Sequence, residues 1–344
     1  MIDNHPGGDN SRLKQSATQS LLVDAHGRRI NYLRLSITDR CNLRCRYCRP
    51  ETGVPFIPHE EILTFEELEY LVGIFCDLGI SKVRVTGGEP FSRRGCLSFL
   101  TRLREVKGVE QLHITTNGVK TARYLDELVD IGLDGINLSL DTLDPKKFWK
   151  TTRRDYLQAV LLSLKGILAR GIPLKINSVV LADTSDDEIR QLAGLAKTHP
   201  LTLRFIEMMP FSGASRSTRL EEGNLAARLQ EVFPAAEESQ SHFPTTCRIF
   251  LLPGYRGKIG IIQGYSRLFC RTCNKVRVTP AGMMKTCLYD NGVLDLKMML
   301  RSNAGALKIK QAIVSSVRNR FANGHEAERF ACRAEETSMA TIGG

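Results

Sequence analysis

The chain has 344 residues, enough for one large α/β domain with or without a smaller companion. No apolar run approaches the length of a bilayer span, so no membrane helix is expected. Lys and Arg outnumber Asp and Glu by 48 to 37, a formal charge of +11, which favours an anionic partner such as a nucleotide. The cations are scattered rather than gathered into Lys/Arg-rich runs interleaved with aromatics, so nucleic acid is not the expected partner. Residues 1–20 are polar and carry no apolar signal core, and read as a disordered lead-in to a cytoplasmic protein. Ten cysteines without a signal segment point to metal binding rather than disulfides.

Taken in order, Tyr32 to Thr38 alternates as a strand and runs into Cys41-Asn-Leu-Arg-Cys45-Arg-Tyr-Cys48. Thr64 with Glu67 reads as a capping box opening a helix through Leu78, with Gly79 as its stop. A strand over 81–86 then ends in Gly87-Gly88-Glu89-Pro90. The cycle repeats with helices near 96–106, 122–131, 156–169 and 186–197. Strands fall at 111–116, 135–140, 174–180 and 201–209. Six strands separated by helical connections imply a parallel sheet curled into an incomplete (β/α)6-type TIM barrel. Residues 210–244 break the cycle and read as a connection with one helix near 225–233. The expected division is therefore 1–20, 21–210 for the barrel, and a smaller region, 211–344.

Ligands of parallel α/β sheets bind beyond the carboxyl ends of the strands. Polar or glycine-rich residues recur there: the cysteine loop, Gly87-Gly88-Glu89, Thr115 to Asn117, Ser139, Asn177 and Glu207. A second cysteine set follows in the C-terminal region, Cys270, Cys273 and Cys287. Thiolates suit iron–sulfur clusters and zinc alike. Zinc would need a fourth ligand for each set: His59 or Cys76 for the first, His242 or Cys247 for the second. Three thiolates on a four-iron cube instead leave one iron open to a small molecule. Cys76, Cys96, Cys247 and Cys332 read as packing thiols. On strands, residues i and i+2 share a face, which pairs Arg34 with Ser36, Lys82 with Arg84, and Lys275 with Arg277. Cations inside a barrel are costly unless paired or bound to ligand. Arg34, Arg84, Lys175 and Arg204 are thus candidates either for an anionic substrate or for cross-barrel ion pairs.

The C-x3-C-x2-C spacing with Tyr47 before the third cysteine resembles the radical S-adenosylmethionine (SAM) enzymes. Four stretches narrow the resemblance to the GTP-cyclising branch of molybdenum cofactor biosynthesis: 31–41, 82–90, 269–277 with Cys287, and 338–344. The resemblance implies two [4Fe–4S] clusters, on Cys41, Cys45 and Cys48 and on Cys270, Cys273 and Cys287. It implies SAM contacts from Tyr47, Gly88, Glu89, Ser139 and Met209. GTP contacts would come from Arg34, Arg84, Thr115, Lys175, Lys275 and Arg277, and catalytic roles from Lys275, Arg277, Gly343 and Gly344. The implied reaction removes the ribose 3′ hydrogen of GTP and closes that carbon onto C8, giving 3′,8-cyclo-7,8-dihydro-GTP. The implied partners are an electron donor and a downstream cyclic pyranopterin monophosphate synthase; a homodimer is left open. The family usually has Arg where this chain has Lys275, which keeps the charge but not the planar fork. Two alternatives stand beside this reading: a peptide-maturing radical SAM enzyme with an auxiliary cluster, and a zinc-stabilised nucleic-acid-binding protein.

Overall fold

The computed structural model describes residues 21–49, 53, 55–209, 224–239, 247–264, 267–331 and 339–343. The expected disorder of residues 1–20, and His242, Cys332 and Gly344, lie outside the described residues.

Six strands joined by five helical connections come first. They comprise β1 (Tyr32–Ser36), α1 (Phe65–Asp77), β2 (Lys82–Thr86), α2 (Cys96–Glu105), β3 (Gln111–Thr116), α3 (Leu125–Asp130) and β4 (Gly135–Ser139). Then follow α4 (Pro145–Thr152), α5 (Leu157–Ala169), β5 (Leu174–Val180), α6 (Asp186–Thr198) and β6 (Thr202–Glu207). The remainder is α7 (Asn224–Val232), β7 (Glu237–Glu238), β8 (Arg248–Leu251), β9 (Lys258–Ile262), β10 (Lys275–Val278), β11 (Met283–Lys285) and β12 (Leu294–Asp295). The chain closes with α8 (Leu296–Arg301), α9 (Ala306–Arg318), α10 (Gly324–Phe330) and α11 (Met339–Ile342).

Local chemistry explains the boundaries. Thr64 and Glu67 form the capping box, and Gly79 follows the end of α1 with φ 93°. Ser185 and Glu188 form a second box at α6. Helix α4 was not anticipated, although Asp144 as N-cap and Pro145 at the first helical position announce it. Its last carbonyls matter for the site: Thr151 and Thr152 accept the backbone N–H groups of Arg46 and Arg44, inside the first cysteine loop.

Among the described residues the strands form a single sheet, in the order β12-β11-β10-β1-β2-β3-β4-β5-β6-β9-β8-β7. Eight of them are parallel, because β9 pairs parallel with β6 and β10 pairs parallel with β1. The six-stranded expectation is therefore extended at both edges by strands from the C-terminal region. No period-3.6 or strand-length signal distinguished those two strands as members of the barrel.

The two faces of the sheet differ completely. Leu33, Leu35, Val83, Val85, Leu112, Ile114, Ile176, Leu203, Phe205, Ile259, Val276 and Val278 point outward into the layer of helices and are almost fully buried. Each such side chain contributes about 1.5–3 kcal/mol on leaving water. The inward positions are Tyr32, Arg34, Lys82, Arg84, His113, Thr115, Asn137, Ser139, Lys175, Asn177, Arg204, Lys275 and Arg277, and all but His113 line the central cavity. The hydrophobic core thus lies between sheet and helices, and the lumen is left polar and cationic.

Candidate active site

The lumen is a cavity of about 850 Å³. All six predicted cluster cysteines line it, as do Tyr47, Gly88, Ser139, Met209, Arg34, Arg84, Thr115, Lys175, Lys275 and Arg277. Strand direction separates the two thiol sets. The first lies beyond the carboxyl end of β1, whereas Cys273 stands just before the amino end of β10, the parallel neighbour of β1. Five residues of strand, roughly 15 Å at the usual rise, lie between the two mouths.

At the first mouth, Arg49 N–H and Cys48 N–H both donate to the Cys45 carbonyl at 2.9 Å, closing the loop into a turn. Leu43 N–H (3.4 Å) and Asn117 Nδ2 (3.6 Å) donate to Cys41 Sγ. Burial pushes the Cys41 thiol up to about 12 and raises Cys45 well above its ordinary value, with Glu89 adding to the first and Asp141 to the second. Thiolates at these positions therefore require a compensating positive group, as an iron cluster supplies. The glycine pair fits the same purpose. A Cβ at Gly87 would meet the Thr38 carbonyl oxygen at 2.6 Å, and one at Gly88 the Arg40 carbonyl oxygen at 2.5 Å. Only glycine lets the end of β2 lie this flat against the chain entering the cysteine loop.

Tyr47 donates to Asp141 Oδ2 at 2.8 Å, and Asp141 Oδ1 accepts Val179 N–H. Burial raises the Asp141 carboxyl to about 6 against these bonds. Glu89 does not line the cavity. Its carboxylate is fully buried and accepts from Thr116 Oγ1, Asn117 N–H and Phe91 N–H, tying the end of β2 to the end of β3. Met209 stands on the wall, with the Tyr289 hydroxyl 3.2 Å from its sulfur.

The cations form register rows. Arg277, Arg34, Arg84 and His113 are partners across four adjacent strands; Thr115, Asn137, Lys175, Thr202 and Lys258 form another row; Asn177 and Arg204 a third. Burial, and then neighbouring cations, depress two of them: Arg34 to about 9, with Arg277 the chief neighbour, and Lys175 to about 8, with Arg204 next. His113 falls to about 3 through burial and then Arg84, so it stays neutral. Lys275 is lowered to about 8, burial first. The cross-barrel ion pairs considered for Lys175 and Arg204 do not form among the described residues. Arg204 Nε and Nη2 and Thr115 Oγ1 are buried without a hydrogen-bond partner. Such orphaned groups mark a site built for a polyanion.

At the second mouth, Cys270 is buried and Cys287 is pushed up to about 11 by burial. Asp290 Oδ2 accepts Thr286 N–H, Thr286 Oγ1 and Cys287 N–H, fixing that cysteine's loop. Cys273 is the exception. Burial would raise it, but Arg320 and Lys275 bring it to about 7. The terminal segment enters the same lumen. Arg277 Nη1 donates to the Gly343 carbonyl at 3.0 Å, and Gly343 has φ 88° with Ser36 against its α-carbon. Cys76 and Cys96 pack in the core as expected, whereas Cys247 lines the cavity beside Arg204. Sequence reasoning missed Tyr32, which lines the cavity, His113, which stands beside Arg84 without lining it, and Arg320, which reaches Cys273. The first two sit at inward strand positions, a signal that was available; Arg320 carries none.

A parallel half-open barrel with a three-cysteine loop at the carboxyl end of its first strand defines a radical SAM protein, and residues 35–196 match the Radical SAM superfamily. Residues 201–326 match the family described as Molybdenum Cofactor Synthesis C. The chain is 38% identical over 304 residues to a GTP 3′,8-cyclase of Peptoclostridium acidaminophilum, covering 88% of this chain and 93% of that one. It is 37% identical over 326 residues to the GTP 3′,8-cyclase of Moorella thermoacetica, covering 94% and 100%. Among solved structures, Streptococcus suis SuiB bound to S-adenosylmethionine shares the fold, with a TM-score of 0.60 at 16% identity over 83% of this chain and 69% of that one. The chain belongs to the GTP 3′,8-cyclase family of the radical SAM superfamily.

Proposed function

We propose that the chain converts GTP into its isomer 3′,8-cyclo-7,8-dihydro-GTP, a lyase reaction that opens molybdenum cofactor biosynthesis, with SAM cleaved to methionine and 5′-deoxyadenosine by two electrons from an external reductant. The observation that carries this reading is the shared lumen: two sets of three thiols line one cationic cavity whose volume suits a nucleotide. Cys41, Cys45 and Cys48 would hold one [4Fe–4S] cluster, and Cys270, Cys273 and Cys287 a second. When bound, the first cluster and SAM supply the radical chemistry.

The chain's own residues bind, orient and exclude water. Tyr47, Gly88, Ser139 and Met209 form the wall that would receive SAM. Glu89 serves that wall from behind, by joining two strand ends. Arg34, Arg84 and Lys175, with the Thr115 hydroxyl, offer charge and hydrogen bonds to the triphosphate. Lys275 and Arg277 face the second mouth, where the guanine would sit, and the Gly343 carbonyl holds one arm of the Arg277 fork. Residues 21–210 act as the SAM-binding unit and 211–344 supply the second thiol set and the closing tail, with Gly344 beyond Gly343. The product would pass to a cyclic pyranopterin monophosphate synthase, with an electron donor, in the cytoplasm.

The test is anaerobic purification followed by incubation with SAM, reductant and GTP. A brown protein with about eight irons, forming 5′-deoxyadenosine and the cyclised nucleotide, supports the reading. A colourless zinc protein, or turnover with a cysteine-containing peptide and none with GTP, overturns it.

A further inference from the structure

Cys273 receives a charged hydrogen bond that the first thiol set does not show at Cys41. Arg320 Nη2 donates to Cys273 Sγ at 2.9 Å, and Arg320 Nη1 donates to the carbonyl oxygen of the same residue at 3.0 Å. Cys41 Sγ, by contrast, accepts from a backbone N–H and from a neutral amide. Arg320 is not a stray surface side chain. Its side chain is 3% exposed, and Nη1 lies 3.9 Å from Asp24 Oδ2, a carboxylate with no exposed surface. The same Asp24 oxygen holds Arg28 Nε at 2.6 Å, and Arg28 in turn donates to the Cys270, Ala322 and Phe321 carbonyls. The His26 ring bonds the Arg320 carbonyl at 3.1 Å. The short turn at residues 24–28 therefore clamps a guanidinium against one sulfur of the second set.

We propose that Arg320 sets the reduction potential of the group held by Cys270, Cys273 and Cys287, through its charged hydrogen bond to Cys273 Sγ, with Asp24 moderating that charge. This rests on the two-cluster reading above. Reduction of a [4Fe–4S] group adds one electron from an external reductant and increases the negative charge on its sulfurs. A cationic donor to a sulfur stabilises the reduced form and raises the potential. Arg320 is a positioning residue in this sense; it touches a ligand and acts through it.

The experiment is a dithionite titration of the reconstituted full chain, followed by electron paramagnetic resonance, with iron counted in each variant. In Arg320→Gln the midpoint of the second group shifts to more negative potential. In Asp24→Asn, where the guanidinium loses its compensating carboxylate, it shifts to more positive potential. The group on Cys41, Cys45 and Cys48 stays where it was in both. Opposite shifts distinguish electrostatic tuning from loose packing, which would move both variants in the same direction. Unmoved midpoints, or shifts of the same sign, overturn the proposal. Where Arg320→Gln cannot retain its iron, Asp24→Asn decides alone, a positive shift supporting the proposal and no shift overturning it. A wild-type protein with only one group's iron removes the two-cluster reading itself, which is a different failure from eight irons with unmoved midpoints.

Discussion

Arg84 on β2 reaches back to Tyr32 on β1, and its Nε donates to the phenol oxygen inside the lumen. Three cations surround that ring: Lys82 at 5.3 Å, Lys275 at 5.5 Å and Arg84 at 5.9 Å from its centroid. Burial alone would raise the phenol, but Arg84, Arg34 and Lys275 overturn that and bring it down to about 7. Tyr32 is the acceptor that holds the Arg84 fork in place before any anion arrives. Replacing Tyr32 by Phe leaves a buried donor unsatisfied, at about 1–3 kcal/mol. The expected result is a lower thermal midpoint and weaker GTP binding, both read by thermal shift with and without nucleotide. An unchanged midpoint removes the role.

Binding of GTP should take up protons. Lys175 is depressed to about 8 by burial and then by Arg204, Arg84 and Lys82. A polyanion stabilises the ammonium and raises that value, so the complex binds more protons than the empty protein near pH 8. Tyr32 has the same sign, since an anion beside the phenol favours its neutral form. Affinity therefore falls as pH rises above about 8. Calorimetry at pH 8 in two buffers of different ionisation enthalpy measures the uptake; zero uptake contradicts the assignment, and Lys175→Met should reduce it.

Arg204 places an orphaned cation in the lumen, with Nε and Nη2 lacking partners. Arg204→Met keeps the length of the side chain and removes the buried charge. The empty protein is expected to gain roughly 1–3 kcal/mol, the range for relieving unsatisfied buried polar groups, while GTP affinity drops at least tenfold. Denaturant melts and nucleotide titrations report the two effects. Lost stability together with unchanged affinity would mean that Arg204 serves the fold alone.

Gly343 tests the tail. Its positive φ is strained for any L side chain, and a Cβ there would meet Ser36 Cβ at 2.6 Å. Gly343→Ala should withdraw its carbonyl from Arg277 and lower turnover more than tenfold, with iron content unchanged. Full turnover in that variant refutes a role for the segment in catalysis.

Much of this architecture was legible because it rests on short-range rules. The capping box at Thr64 and Glu67 and the strand ends at Gly87 and Ser139 follow from local chemistry. The alternation of Arg34 with Leu35, or Arg84 with Val85, already separates lumen from core. What escaped was set by distant neighbours. Whether Glu89 faces a ligand or ties two strands depends on Thr116 and Asn117. The membership of β10 in the barrel depends on pairing with β1, 243 residues earlier as Tyr32 and Lys275 mark it, and that of β9 on pairing with β6 across the 202–258 interval. Arg320 acquires its meaning only when Asp24, almost three hundred residues away, folds against it. Lys275, where the resemblance led to an expected arginine, joins the Tyr32 cluster as a point charge, so the departure bears on geometry more than on electrostatics.

The pairing of β1 with β10 has a bearing on biogenesis. Some 240 residues separate these adjacent strands, as Tyr32 and Lys275 in their register show. At ordinary ribosomal speeds, this delay is on the order of tens of seconds. Throughout that interval the early cysteine loop has emerged without its neighbouring wall, accessible to oxidants and stray cations. On the proposed reading, the wall beside Cys41, Cys45 and Cys48 is complete only once β10 has been made, so a cluster seated there before that point would lack its neighbouring strand.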